Sequence, residues 1–212
     1  MRIALLAPLA LLAAPVIAQA PTEAPGRVDA GRVTGGTYRA ESSHSMVAFE
    51  IKHFGFNSYH GIFGDVAGTL RLDPRNLQTA QVDVTIPVAS VTVPSSGLRE
   101  HLLKPGKGGG KPDFFGASPA PARFVSTAVA VDPRDPTKAK ITGNLTLNGV
   151  TKPVTLDAKF TGAGINPFSK RETVGFEAEA DIKRSDWGLG FAVPMVGDEV
   201  ELDISVAFEK SA

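Results

Sequence analysis

The sequence predicts an all-β fold of antiparallel strands, and three observations carry the prediction. Over residues 198–209, Val200, Leu202, Ile204, Val206 and Phe208 alternate with Glu199, Glu201, Asp203, Ser205, Ala207 and Glu209. On a strand that period of two sends the two sets to opposite faces, and the same pattern recurs in at least four other segments. Asn148-Gly149 sits between two such segments, and both residues tolerate the positive φ of a tight hairpin. Only residues 95–103 carry a helical period. Clean alternation with one polar face points to an antiparallel sheet. About eight such strands suit a closed barrel, filled by side chains or holding one apolar ligand. They equally suit the two inner faces of a sandwich.

Taken in order, residues 1–18 read as a secretory signal peptide. Arg2 supplies the charge, residues 3–12 the apolar run, and Val16-Ile17-Ala18 the cleavage site. The run is too short for the ~20 residues of a membrane-spanning helix. Residues 19–36, rich in Pro, Gly, Thr and charge, read as a disordered leader, with the folded domain spanning 37–212. The first strand is Met46–His53. Residues 58–72 form a long strand whose Gly61, Gly64 and Gly68 mark bulges or bends. Asp73-Pro74-Arg75-Asn76 is a turn before the strand Gln81–Ile86. Residues 95–103 place Leu98, Leu102 and Leu103 at helical spacing with Ser95 or Ser96 as N-cap. A basic loop, 104–112, and a helical turn at Asp113-Phe114-Phe115 follow. Strands then resume over 123–131, 140–147, 150–161 and 173–183, with loops at 162–170 and 184–197, before the strand at 198–209. The short helix is counted as an insertion between the fourth and fifth strands.

Twenty-two basic residues balance 22 acidic ones, so no bulk field draws the chain to nucleic acid or to anionic membrane. The chain has no cysteine, which excludes disulfides, thiolate catalysis and thiolate metal sites. His44, His53, His60 and His101 lack the spacing that puts two ligands on one face, so no metal is expected. No Gly-x-Ser-x-Gly elbow is present. In the basic loop, Pro105 and Pro112 occupy positions where a phosphate loop needs Gly and Ser or Thr.

Several segments resemble the YceI-like family, lipocalin-like polyisoprenoid-binding periplasmic proteins. The resemblance is carried by Tyr38, His44-Ser45, Val47-Ala48-Phe49, Lys52-His53-Phe54-Gly55, Gly61-Ile62-Phe63 and Gly68-Thr69-Leu70. It continues through Arg99-Glu100-His101-Leu102, Asp113-Phe114-Phe115, residues 147–154, Arg184-Ser185-Asp186-Trp187-Gly188-Leu189 and Val196-Gly197-Asp198-Glu199-Val200. It covers roughly residues 37–208. The chain departs from the pattern at Pro94-Ser95-Ser96-Gly97 and in the nine residues 103–111 inserted before Asp113. The resemblance implies an eight-stranded antiparallel lipocalin-like barrel, exported to the periplasm. Its interior would be a tunnel for a long-chain amphiphile, either a polyisoprenoid, an isoprenoid quinone or a fatty acid derivative. A homodimer is open to it, with at most transient membrane contact and no nucleic acid. No cofactor is expected beyond the bound isoprenoid or quinone lipid.

Close packing is the ordinary fate of inward-facing side chains, and the resemblance replaces that expectation with a hollow. The tunnel-lining candidates are Phe49, Ile51, Phe63, Leu70, Val84, Ile86, Phe124, Leu145, Leu156, Phe160, Phe176, Ile182, Leu202 and Ile204. Arg99, His101, Lys104, Lys107, Lys111, Phe114, Phe115, Trp187 and Phe191 are candidates for a mouth or lid, with the lysines meeting a charged headgroup. No catalytic residue is assigned. The alternatives are a lipid-modifying enzyme, which would need titratable groups converging inside, and a solid barrel acting through its outer surface as a stress or adhesion protein.

Overall fold

The computed structural model describes residues 23–211; the expected signal peptide lies outside them. Ten strand segments occur in the order β1 (Gly36–Ala40), β2 (Met46–His53), β3 (Asn57–Phe63), β4 (Ala67–Leu72), β5 (Gln81–Ile86), β6 (Ala122–Val131), β7 (Lys138–Leu147), β8 (Val150–Ile165), β9 (Glu172–Lys183) and β10 (Val196–Lys210). One helix, α1 (Ser96–Leu102), stands between β5 and β6. Every pairing is antiparallel. The ring β1-β4-β5-β6-β7-β8-β9-β10 closes where Tyr38, Arg39 and Ala40 of β1 meet Lys210, Glu209 and Phe208 of β10. Closure removes the unpaired edges that an open sheet would expose, and it decides between barrel and sandwich.

The ten segments reduce to eight positions because two strands are interrupted. β1 and β2 run successively along one edge of β10, β2 pairing from Ile51 against Val200 to Met46 against Ser205. The polar groups freed between them find partners in side chains: Ser45, 2% exposed, donates to the Glu41 carbonyl at 2.7 Å and accepts from the Ala207 amide at 3.1 Å. The strand expected over 58–72 likewise divides into β3 and β4 around Asp65, whose φ is 56°. There Ser90 accepts from the Gly64 amide at 3.0 Å and donates to its carbonyl at 3.1 Å. Glycine is required nearby at Gly68, where a Cβ would stand 2.2 Å from the Asp83 carbonyl oxygen and φ is 144°. The helical insertion therefore follows the third ring position rather than the fourth: the interrupted strands pair as single positions, and β5 is the third.

Several other boundaries differ from expectation. Asp113-Phe114-Phe115 is a bend, not a helical turn, held by the Phe115 amide donating to the Leu102 carbonyl at 3.1 Å. β8 continues to Ile165, four residues into the segment expected as loop. Residues 23–36, expected as disordered leader, hold defined positions. Arg27 and Ala163 exchange both backbone hydrogen bonds at 3.1 and 2.8 Å, and Ala30–Arg32 forms a 3-10 turn.

The end of the ring that carries this leader is tied by Glu172. It accepts from the Thr34 amide at 2.9 Å, from the Thr34 hydroxyl, and from the hydroxyl of the fully buried Tyr38 at 2.6 Å. Burial opposes ionisation of Glu172, but these bonds outweigh it and hold its carboxyl below the usual range. Burial, with Glu172 beside it, keeps the Tyr38 phenol protonated above its ordinary range. Because Glu172 ionises more readily folded than unfolded, its contribution is complete above the ordinary glutamate pKa of ~4.3 and vanishes as pH falls through the lower folded value. Replacing a largely buried acceptor of three bonds typically costs about 1–3 kcal/mol. Glu172→Gln is thus expected to lower unfolding free energy by that amount at pH 7, with the gap to wild type closing below about pH 4. Urea titrations at the two pH values read this, and a pH-independent gap would contradict it.

Candidate ligand-binding cavity

The alternation that makes each strand also builds the interior. From β10, Val200, Leu202, Ile204, Val206 and Phe208 all face the same enclosed space, while Glu199, Glu201, Asp203 and Ser205 between them carry the outer face. The space is about 950 Å³, at the upper end of the ~300–1,000 Å³ typical of small-molecule sites. Native interiors elsewhere have few voids larger than a water molecule.

The walls come from every strand except β1. Phe49 and Ile51 (β2), Phe63 (β3), Leu70 (β4), Val84 and Ile86 (β5) and Phe124 (β6) border the cavity. So do Leu145 (β7), Leu156 and Phe160 (β8), Phe176 and Ile182 (β9) and Leu202 and Ile204 (β10). The structure thus brings all fourteen tunnel candidates to one surface. Halfway along, Ala158 of β8 lies opposite Ala178 of β9, which on its other side lies opposite Ile204 of β10. These small side chains project little volume into the middle.

Three patches of buried side chains pack together. Tyr38, Ala163 and Val174 fill part of the leader end with Leu70 and Phe208. Trp187, 2% exposed, packs on Val154, Ile182 and Val200, with its Nε1 donating to the Leu145 carbonyl at 3.2 Å. α1 lays Leu98 and Leu102 on Val91, Val93, Phe63, Phe114 and Phe115. Its N-terminus is capped by Ser95, which accepts from the Leu98 amide at 3.2 Å.

Polar side chains border the cavity only at its ends. His53, Tyr59, Ser95, His101 and Arg184 stand at the α1 end, and Thr137, Lys138 and Lys159 at the other. The α1 end is an aromatic mouth in which His101, Phe114 and Phe191 stack edge to face, with centroids 5.2–5.5 Å apart. His101 Nε2 also lies 2.8 Å from Asp113 Oδ2.

Of the mouth candidates, His101, Phe114, Phe115 and Phe191 border the cavity and the other five do not. Arg99 is turned to the Val91 and Ala89 carbonyls at 3.0 and 3.3 Å and fastens α1 to the preceding segment. Trp187 lies behind the wall. Lys111 donates to the Gly188 carbonyl at 3.1 Å, and Lys104 and Lys107 stay in the exposed loop. Three extended, solvated ammonium groups gain nothing by turning over an apolar opening. Among the described residues, no group of three His, Cys, Asp or Glu side chains could hold a metal ion.

Some lining residues went unassigned from sequence. Val82, Ile141, Val154, Ala178, Val206 and Phe208 belong to the same alternating series as residues that were named. Val129 and Val131 were obscured by the register shift between Ser126 and Ala128, which moves the inward set of β6 from even to odd positions. His53, Phe54 and Tyr59 stand at a hairpin, where periodicity carries no signal.

The YceI-like domain model matches residues 38–208. This chain belongs to the YceI-like family. It is 38% identical over 180 residues to protein YceI of Escherichia coli, covering 84% of this chain and 88% of that one. Among solved structures, Burkholderia cenocepacia BcnA superposes with a TM-score of 0.65 at 26% identity, over 79% of this chain and 98% of that one. A polyisoprenoid-binding domain from Saccharophagus degradans, implicated in plant cell wall breakdown, shares the fold at a TM-score of 0.55. It is 14% identical over 82% of this chain and 98% of its own.

In this YceI-like barrel the mouth hangs on Arg184. Only 6% exposed, it donates to the Gly197 carbonyl at 2.7 Å, the Val196 carbonyl at 3.0 Å and the Leu189 carbonyl. It thereby folds the connection bearing Phe191 back on the barrel. Arg184→Met would leave three carbonyls unpartnered, a loss on the order of 3 kcal/mol for bonds to a charged donor. Trp187, the only tryptophan of the chain, reports the result: red-shifted emission and greater quenching by acrylamide are expected. An unshifted spectrum at undiminished stability would refute the role given to Arg184.

Proposed function

We propose that this protein is an exported, periplasmic carrier that sheathes the hydrocarbon chain of a long amphiphile in the barrel and leaves the polar head at the rim. The polyisoprenoid, the isoprenoid quinone and the fatty acid derivative are the ligand classes. The observation that carries the reading is the 950 Å³ hollow with apolar walls and polar groups only at its two ends. Left empty, such a space denies its lining the van der Waals contacts that a packed core makes. Water is a poor filler, because a buried water needs two to four polar partners and the middle of the barrel offers none. A hydrocarbon chain supplies contacts all along the walls, and each CH₂ leaving water contributes ~0.8 kcal/mol before ordering costs.

Membership of the YceI-like family and the fold shared with a polyisoprenoid-binding domain support the same reading. Covalent chemistry is not part of it: a lipid-modifying enzyme would need titratable groups beside the reacting bond, and those bordering this cavity stand at its ends. At the α1 end His53, Tyr59 and His101 are placed to meet a polar head.

Filling the middle tests the proposal. Ala178 is 7% exposed, lines the hollow and lies near the middle of β9. Ala178→Trp is expected to weaken binding of a fluorescent long-chain fatty acid by at least 10-fold, with thermal stability kept or raised as void is replaced by contact. Ala178→Leu gives an intermediate loss. Unchanged affinity in folded variants would show that the chain does not lie there.

A further inference from the structure

The aromatic mouth continues outward into an exposed apolar collar. The β2–β3 turn presents Phe54 and Phe56, which are 49% and 89% exposed. The β9–β10 connection presents Phe191, Val193 and Met195, 43%, 37% and 61% exposed. The two segments are one surface, since the Phe54 amide donates to the Met195 carbonyl at 2.8 Å and Phe54 and Phe191 both border the cavity. Large apolar side chains are also exposed at the β8–β9 turn, Ile165 and Phe168, but neither borders the cavity.

Beside the collar runs the loop of Lys104, Lys107 and Lys111. Lys111 fixes it there through the Gly188 carbonyl, three residues before Phe191. None of these lysines has an acidic partner among the described residues, whereas Asp113, the nearest carboxylate in sequence, is taken by His101 at 2.8 Å. Exposed phenylalanines flanked on one side by lysines without acidic partners suit one environment in particular, the interface of an anionic bilayer. Aromatic rings settle there at headgroup depth, and ammonium groups meet lipid phosphates.

We propose that the collar docks the mouth edge-on to an anionic lipid surface. The hydrocarbon chain then passes between bilayer and barrel without crossing water. The lysine loop, which does not border the cavity, serves the membrane and not the bound headgroup. This inference rests on the chain-carrying function above.

The test uses the full mature chain and two vesicle compositions, phosphatidylcholine alone and phosphatidylcholine with phosphatidylglycerol, read by co-sedimentation. Bound lipid is measured on the same samples by extraction. Wild type is expected to partition into the anionic vesicles and weakly into the neutral ones. Replacing Lys104, Lys107 and Lys111 together with Ala should lower anionic partition by about 100-fold, from the contribution of each lysine near an anionic surface. Phe56→Ser with Met195→Ser, neither of which borders the cavity, should lower it by at least 10-fold. Both variants should keep the chain-binding capacity of wild type. Equal partition of wild type and variants would overturn the docking, as would a dimer that these variants split without any vesicle binding. If chains are bound and vesicles are not, the docking alone fails. If vesicles are bound through the collar and no chain is ever found, the carrier function fails and the docking surface stands.

Discussion

Side-chain parity is the constraint on which the rest depends. Successive side chains of a strand point to opposite faces, and in this closed ring one face is inside and the other meets water, so each strand commits every second residue to the interior. With eight positions around the ring and alanines where Ala158 meets Ala178, the inward set lines a space that it does not fill. The interior then holds only carbon surface along its length, and the groups that could hydrogen-bond are displaced to the ends. The proposed function rests on that geometry through solvation.

A hollow barrel must also be held at its ends, and two polar side chains gather several partners there. At the leader end Glu172 gathers Thr34 and Tyr38, and so fastens the first strand across the closure. At the mouth Arg184 gathers three carbonyls of the connection that carries Phe191. Where two strands break, Ser45 and Ser90 stand in for the missing backbone partners. A closed ring would otherwise leave buried peptide groups unpaired at each interruption, at a cost comparable to a lost hydrogen bond apiece.

Much of this was legible in the sequence because the signal was periodic. β2 and β5 fall on their expected residues, α1 matches its capping serine, and all fourteen tunnel candidates border the cavity, Phe63 among them through the family resemblance and not the alternation. The signal failed where periodicity is broken by contacts distant in sequence. β1 holds only five residues and owes its place to Glu172 and Lys210, more than 130 positions away. The breaks at Ser45 and at Asp65 depend on Ala207 and Ser90. Residues 23–36 look unstructured alone and become ordered by pairing with Ala163. The lysines of the inserted loop were placed over the opening because of their charge, but an exposed ammonium group stays in water while aromatic rings take the mouth.

The central claim is that a hydrocarbon chain occupies the barrel. Organic extraction of the purified protein followed by mass spectrometry tests it most directly. The account predicts one long-chain isoprenoid or other amphiphile per protein molecule, depleted in folded Ala178→Trp. Protein that yields no lipid, and that takes up none when offered, would contradict it.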